Sequence, residues 1–187
     1  MSPILGILAS QNYSRITSSY ESIATVTVGV LGTSSITFSS IPSTYTHLQI
    51  RGIGRTDRVA PADSAKMKFN SDSGANYAYH VLYGTGSVAA ASSSTSTNNV
   101  NLDRFASATA TSGVFGAIVI DILDYTSTTK NKTVRSLGGV DNNGSGEIDL
   151  DSNLYFATPA AITTIDITPN IGTNWVQYSS FALYGIK

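Results

Sequence analysis

β-Branched residues alternate with hydroxyl residues along most of this chain, and almost nothing recurs at helical spacing. Ser-Ile-Ala-Thr-Val-Thr-Val (22–28), Ser-Ile-Thr-Phe-Ser-Ser-Ile (35–41) and Ile-Thr-Thr-Ile-Asp-Ile-Thr (162–168) each place apolar side chains two residues apart. That period puts one set of side chains on one face of a strand and the other set on the opposite face. Val, Ile and Thr also suit a pleated, half-buried surface better than a helix. The chain is therefore expected to be all-β.

Composition narrows the class further. Ser and Thr make up about a quarter of the 187 residues, 41% are hydrophobic and only 12% are charged, for a net charge of −1. The apolar share at strand spacing argues against disorder. Eleven Lys and Arg spread over the whole length supply no cationic stripe, so nucleic acid is not an expected partner. With no Cys, disulfide frameworks, thiolate zinc sites and cysteine nucleophiles fall together. A chain of this length buries about two-thirds of its unfolded surface and needs no such staple. The opening Met-Ser-Pro-Ile-Leu-Gly-Ile-Leu-Ala-Ser-Gln has no basic residue before its short apolar stretch, so a secretory signal is not expected. Nothing approaches the ~20 apolar residues of a membrane span.

Turn signals divide the chain into about ten strands, over 20–31, 34–41, 46–55, 66–70, 77–83, 114–123, 133–140, 148–156, 162–168 and 175–186. The run Ala117-Ile-Val-Ile-Asp-Ile-Leu reads as a central strand buried on both faces. Asn143-Gly144 and Ser145-Gly146 are hairpin signals. Segment 56–64 reads as a loop, with at most one helical turn near 58–65. Residues 85–99, rich in Gly, Ala, Ser, Thr and Asn, read as a mobile loop or weak strand. The expected fold is an antiparallel β-sandwich of jelly-roll type over 20–187, preceded by an N-terminal arm over 1–19.

Each chemical candidate has a structural alternative. Asp141-Asn-Asn-Gly-Ser-Gly-Glu-Ile-Asp-Leu-Asp-Ser152 resembles a calcium loop but ends on Ser152 where a bidentate Glu belongs, and a tight hairpin accounts for the same letters. No metal and no cofactor is expected. His47 and His80 have no motif partner, and Gly-x-Ser-x-Gly, His-Glu-x-x-His and phosphate-loop patterns are absent. The pairs Asp121/Asp124 and Asp149/Asp151 are the spacings a glycosidase could draw on, though solvated strand positions or turn caps explain them. No catalytic residue is assigned. Asn70, Asp72, Asn76, Tyr77 and Tyr79 gather around one turn-rich loop and form the best glycan-contact candidate, against a reading in which the tyrosines are core or interface rings. Ile4, Leu5, Ile7 and Leu8 are too apolar to remain in water and are the candidates for anchoring the arm.

Several stretches carry a resemblance. Met1-Ser-Pro-Ile-Leu-Gly-Ile-Leu-Ala-Ser-Gln, Tyr20-Glu-Ser-Ile-Ala-Thr-Val-Thr-Val-Gly and Ile41-Pro-Ser-Thr-Tyr-Thr-His-Leu-Gln-Ile-Arg-Gly-Ile-Gly-Arg resemble a family of tailed-phage virion proteins common among aquatic phages. So do Met67-Lys-Phe-Asn-Ser-Asp-Ser-Gly-Ala-Asn-Tyr-Ala-Tyr-His, Ile120-Asp-Ile-Leu-Asp-Tyr and Tyr178-Ser-Ser-Phe-Ala-Leu-Tyr-Gly-Ile-Lys. The resemblance covers nearly the whole chain. It implies a non-enzymatic virion component: a tail-fibre or adhesin-type surface protein held by its arm and contacting host-surface glycans, with capsid decoration as the alternative and a glycan-degrading enzyme as the remote one. It also implies other virion proteins as partners, and, by analogy with phage appendages, a homotrimer. The virion, assembled in the host cytoplasm, is then the expected location.

Overall fold

The computed structural model describes residues 19–187. Among them the chain forms β1 (Tyr20–Thr27), β2 (Ile36–Phe38), β3 (His47–Gly54), β4 (Ala62–Phe69), β5 (Tyr77–Gly84), β6 (Ala89–Thr97), β7 (Val100–Ala106), β8 (Gly116–Ile122), β9 (Lys132–Asp141), β10 (Gly146–Tyr155), β11 (Ile165–Pro169) and β12 (Ser180–Ile186). No helix forms among the described residues, and so none is long and apolar enough to cross a membrane. The all-β antiparallel sandwich is the fold, with twelve strands rather than about ten.

One sheet has eight strands in the order β1-β12-β3-β8-β9-β10-β5-β6, and the other has four in the order β2-β11-β4-β7. All the ladders between named strands are antiparallel. The chain passes from one sheet to the other at every connection except β5–β6, β8–β9 and β9–β10. Two hairpins, β5–β6 and β9–β10, stay within the large sheet and extend it past β8. Alternation explains which side chains meet between the layers. Leu48 and Ile50 of β3, Ile118, Ile120 and Ile122 of β8, and Phe181 and Leu183 of β12 face Ile36, Phe38, Met67, Phe69, Leu102, Ile165 and Ile167 of the small sheet. Trp175, Phe105 and Phe181 close one end of this core edge to face, and Phe69, Tyr77 and Tyr155 close the other.

Of the two readings of 85–99, the weak strand holds over 89–97, hydrogen-bonded to β5; its Ala, Ser and Thr side chains give little core signal because β6 is the outermost strand. Two expectations need correction. The β8 run is buried on one face only: Val119 is 39% exposed and Ala117 is exposed beside it, since nothing among the described residues covers the outer face of the large sheet. The region near 58–65 holds no helical turn, because β4 already starts at Ala62. The β9–β10 turn is made by Asn143 and Gly144, both with positive φ (58° and 90°), while Gly146 belongs to β10. Such a pair of residues is what a two-residue hairpin turn with matching twist requires.

Candidate functional site

Strand directions give the sandwich two unlike ends. β1, β3, β5, β7, β9 and β11 run away from the end where Ser19 begins the described chain, and the remaining strands run back toward it. The near end therefore carries Ser19, Lys187 and loops 39–46, 70–76, 123–131 and 156–164. The far end carries loops 28–35, 55–61, 85–88, 107–115, 142–145 and 170–179. Ile4, Leu5, Ile7 and Leu8 lie outside the described residues.

The glycan-contact candidates sit at the near end, not at a distal tip, and their polar atoms are engaged within the fold. Asn70, with φ 51°, accepts at its amide oxygen from the backbone N–H of Thr163 (2.9 Å) and Thr164 (3.2 Å) and donates to the Ala161 carbonyl (2.9 Å). Asp72 accepts from Gly74 N (2.8 Å), Asn76 Nδ2 (2.9 Å) and the Tyr155 hydroxyl (3.0 Å). The Asn76 amide and the Gly74 N–H hold its carboxyl below the ordinary value of 3.8. Tyr77 is fully buried, stacked on Tyr155 at 4.7 Å between ring centroids, and its hydroxyl donates to the Asp72 carbonyl and accepts from Phe69 N. Burial pushes that phenol up to about 12. Tyr79 is half-buried on the inward side of β5. A buried ring has no face to offer a sugar, so these residues do not form one exposed patch.

The histidines and carboxylates are likewise dispersed. His47 Nδ1 accepts from the Asp124 N–H (2.9 Å), and Asp124 pairs with Lys130 (2.7 Å), which lowers its carboxyl below the ordinary range. His80 stands on the outer face of the large sheet between Ser152 and Ser93. The nearest carboxylate in that row is Asp121 of β8, three strands and so about 14 Å away. Asp121 itself accepts from Gln49 (2.8 Å) and lies 3.8 Å from Arg135. The calcium-like run 141–152 is the end of β9, the Asn143–Gly144 turn and most of β10, with Asp141 Oδ1 accepting from Gly144 N (3.0 Å). Among the described residues no three His, Asp or Glu side chains gather as metal ligands.

Asp149 and Asp151 are not solvated, contrary to the sequence reading. They are buried in the interior with Asn153, Ser136 and Lys132. The reason lies in β7, the last strand of the small sheet, whose outer backbone edge points toward β10. Asn153 reads that edge as another strand would: its Oδ1 accepts from Asn101 N (2.9 Å) and its Nδ2 donates to Asn101 O (3.2 Å). Asp151 accepts from Ser136 Oγ (3.0 Å) and Asn101 Nδ2 (3.5 Å), and Arg104 of β7 pairs with Glu147 of β10 at 2.8 Å.

The same alternation that turns Asp149, Asp151 and Asn153 inward turns Ile148, Leu150 and Leu154 outward. They join a band that crosses the outer face in register. One row runs Val119, Leu137, Leu150, Leu82, Ala91, and the row beside it, closer to the far end, runs Ile53, Ala117, Gly139, Ile148, Gly84, Ala89. Polar residues border the band, with Gln49, Asp121, Arg135, Ser152, His80 and Ser93 in the next row. A groove of about 730 Å³ opens between the rows, floored at Gly139 and Gly84, and a second of about 610 Å³ lies between Leu150, Leu82 and Ala91. Gly139 admits no side chain, since a Cβ there would stand 2.4 Å from the Glu147 carbonyl oxygen. Beyond the band, the far-end loops expose Val30, Leu31, Val59, Ile171 and Tyr178. Sequence reasoning passed over this surface. The one available signal was the alternation Ile-Asp-Leu-Asp-Ser-Asn-Leu, which marks two unlike faces without saying which is inside. No protein-family model, curated protein or solved structure matches this chain.

Proposed function

We propose that this chain is a non-enzymatic structural subunit of a larger particle and, on the resemblance of its sequence, a virion component of a tailed phage. The observation that carries the reading is the distribution of chemistry: the interior groups Asp63, Ser136, Asp151 and Asn153 are bonded within the fold, and the prominent uncommitted feature is an apolar face about five strands wide. Proteins that act by packing present such faces, whereas solvated monomers rarely do. The interleaving of β1-β12-β3-β8 with β2-β11-β4-β7 supports a jelly roll carrying two inserted hairpins, an architecture at home in capsids.

A packing role at the virion surface, as in capsid decoration, is favoured over glycan adhesion. Burial of Tyr77 and the internal bonds of Asn70, Asp72 and Asn76 remove the patch on which adhesion rested. Adhesion remains as the second reading, with the far-end loops as its surface. Quantitative mass spectrometry of purified particles tests both. Hundreds of copies per particle fit the head, tens fit the tail, and absence from washed particles overturns the virion reading.

A further inference from the structure

We propose that the outer face of the eight-stranded sheet is the contact between two copies of this chain, related by a two-fold axis. This goes beyond the virion reading and stands or falls without it.

Three observations carry it. The first is polarity. β10 buries Asp149, Asp151 and Asn153 and presents Ile148, Leu150 and Leu154 outward, although strands normally bury the apolar set. Leu137 of β9 and Leu82 of β5 continue the apolar row on either side, each more than half exposed. These side chains add nothing to the monomer core. The second is size. Six large apolar side chains, Ile53, Leu82, Val119, Leu137, Ile148 and Leu150, stand 39–61% exposed in one contiguous band, where an ordinary monomer leaves such residues scattered singly. A two-fold contact covers two such sets at once, toward the roughly 1,000 Å² that a specific interface needs.

The third is shape. A two-fold contact requires one patch to supply both the projection and the hollow. This face has both: Leu137, Leu150 and Ile148 project beside a groove whose floor, at Gly139 and Gly84, bears no side chains. In the border, Asp121 and Arg135 stand 3.8 Å apart in the same row and offset each other. A strongly charged partner finds no matching field there, whereas a second copy brings the same compensated pair and meets no repulsion from it.

The chain has no Cys, so single-cysteine variants report contacts cleanly. Light scattering of the full chain at about 100 µM should give twice the 19.6 kDa chain mass. The double variant Leu137→Lys/Leu150→Lys should dissociate about 100-fold more readily and match the melting temperature of wild type diluted to monomer, because both residues are solvent-facing in the single copy. Leu137→Cys should be captured between copies by a flexible bis-maleimide, which spans positions within one interface that a direct disulfide would not, and Leu31→Cys at the far-end tip should not. The cysteine pair decides the matter if the lysine variant misfolds. A monomer at 100 µM, a trimeric mass, a dimer that survives the lysine pair in folded protein, or equal cross-linking at Leu31 and Leu137 overturns the proposal.

Discussion

Asn153→Leu tests the account of the polar interior. Asn153 is buried and exchanges two hydrogen bonds with the backbone of Asn101, at 2.9 and 3.2 Å, so that a side chain of β10 stands where the next strand beside β7 would be. Leu keeps the branch at Cγ but is larger, so it adds some strain in a packed interior, and it neither donates nor accepts. Removing one partner of a buried hydrogen bond costs about 1–3 kcal/mol. Two such losses, offset by about 1–2 kcal/mol of added apolar burial, leave a net destabilisation of about 2–4 kcal/mol. For a chain of this size that is a fall in melting temperature of about 6–12 °C. Urea unfolding with an unchanged m-value measures it directly. A loss below about 0.5 kcal/mol, the range of ordinary surface substitutions, would mean that the edge of β7 does not depend on Asn153.

Asn153→Asp separates the lost donor from the lost shape. The carboxylate can still accept from Asn101 N but cannot donate to Asn101 O, and it adds a charge beside Asp151 on the same buried face. Burial and a like charge both favour its neutral form, so the folded state binds a proton more readily than the unfolded one. The variant's deficit relative to wild type should therefore shrink as pH falls through the folded-state pKa. A pH-independent deficit would contradict the burial of this face.

Arg55 donates to the carbonyls of Ala108, Ala110, Thr111 and Val114 at 2.9–3.2 Å, gathering the 107–115 loop around one guanidinium. Arg55→Lys, which cannot span the four, should cost about 2 kcal/mol and speed amide hydrogen exchange in that loop; unchanged exchange would show that the loop is ordered by other contacts. Tyr77 keeps its phenol neutral up to about pH 12 against an ordinary 10.0, because burial disfavours the phenolate. A raised pKa of this kind gives stability that is complete below pH 10 and lost as pH climbs through 12. Tyr77→Phe should accordingly lower stability near neutrality yet flatten the alkaline limb of a denaturation profile, and an unaltered limb would count against the buried phenol.

The strands were legible because period-two alternation is a local property, and ladders that pair Val119 with Leu137 and Leu150 follow from it once neighbours are known. Orientation was not legible. In β10 the alternation is plain, but the usual inference sends Ile148 and Leu150 inward, and the reverse holds because the backbone edge of β7 needs donors and acceptors from Asn153. β6 was legible only as a loop or weak strand, since an outermost strand of Ala, Ser and Thr pairs on one side and buries little. The candidate site failed for a different reason. Asn and Asp bind sugar hydroxyls and backbone amides with the same atoms, so Asn70 and Asp72 look alike in either role until Thr163, Thr164, Gly74 and Tyr155 are placed beside them. The end of the molecule on which loop 70–76 falls depends on strand directions, which emerge only from the whole topology.

The two inserted hairpins connect these results. Both lengthen the large sheet on the side of β8, where β9 and β10 lie over β7. Covering a backbone edge calls for polar side chains on the covering face, and Ser136, Asp151 and Asn153 supply them. Had the hairpins served only that purpose, their outer side chains could have been Thr or Lys, as on most solvated strands. They are Leu137, Ile148, Leu150 and Leu82 instead, and the band they make with Val119 and Ile53 lies toward the far end, whose loops also expose Val30, Leu31 and Val59. The near end differs: among the described residues its loops expose no large apolar side chain. On the two-fold contact proposed above, the chain would pack sideways against its own kind through the far half of its large sheet, with the near end, where Ser19 enters, outside that contact.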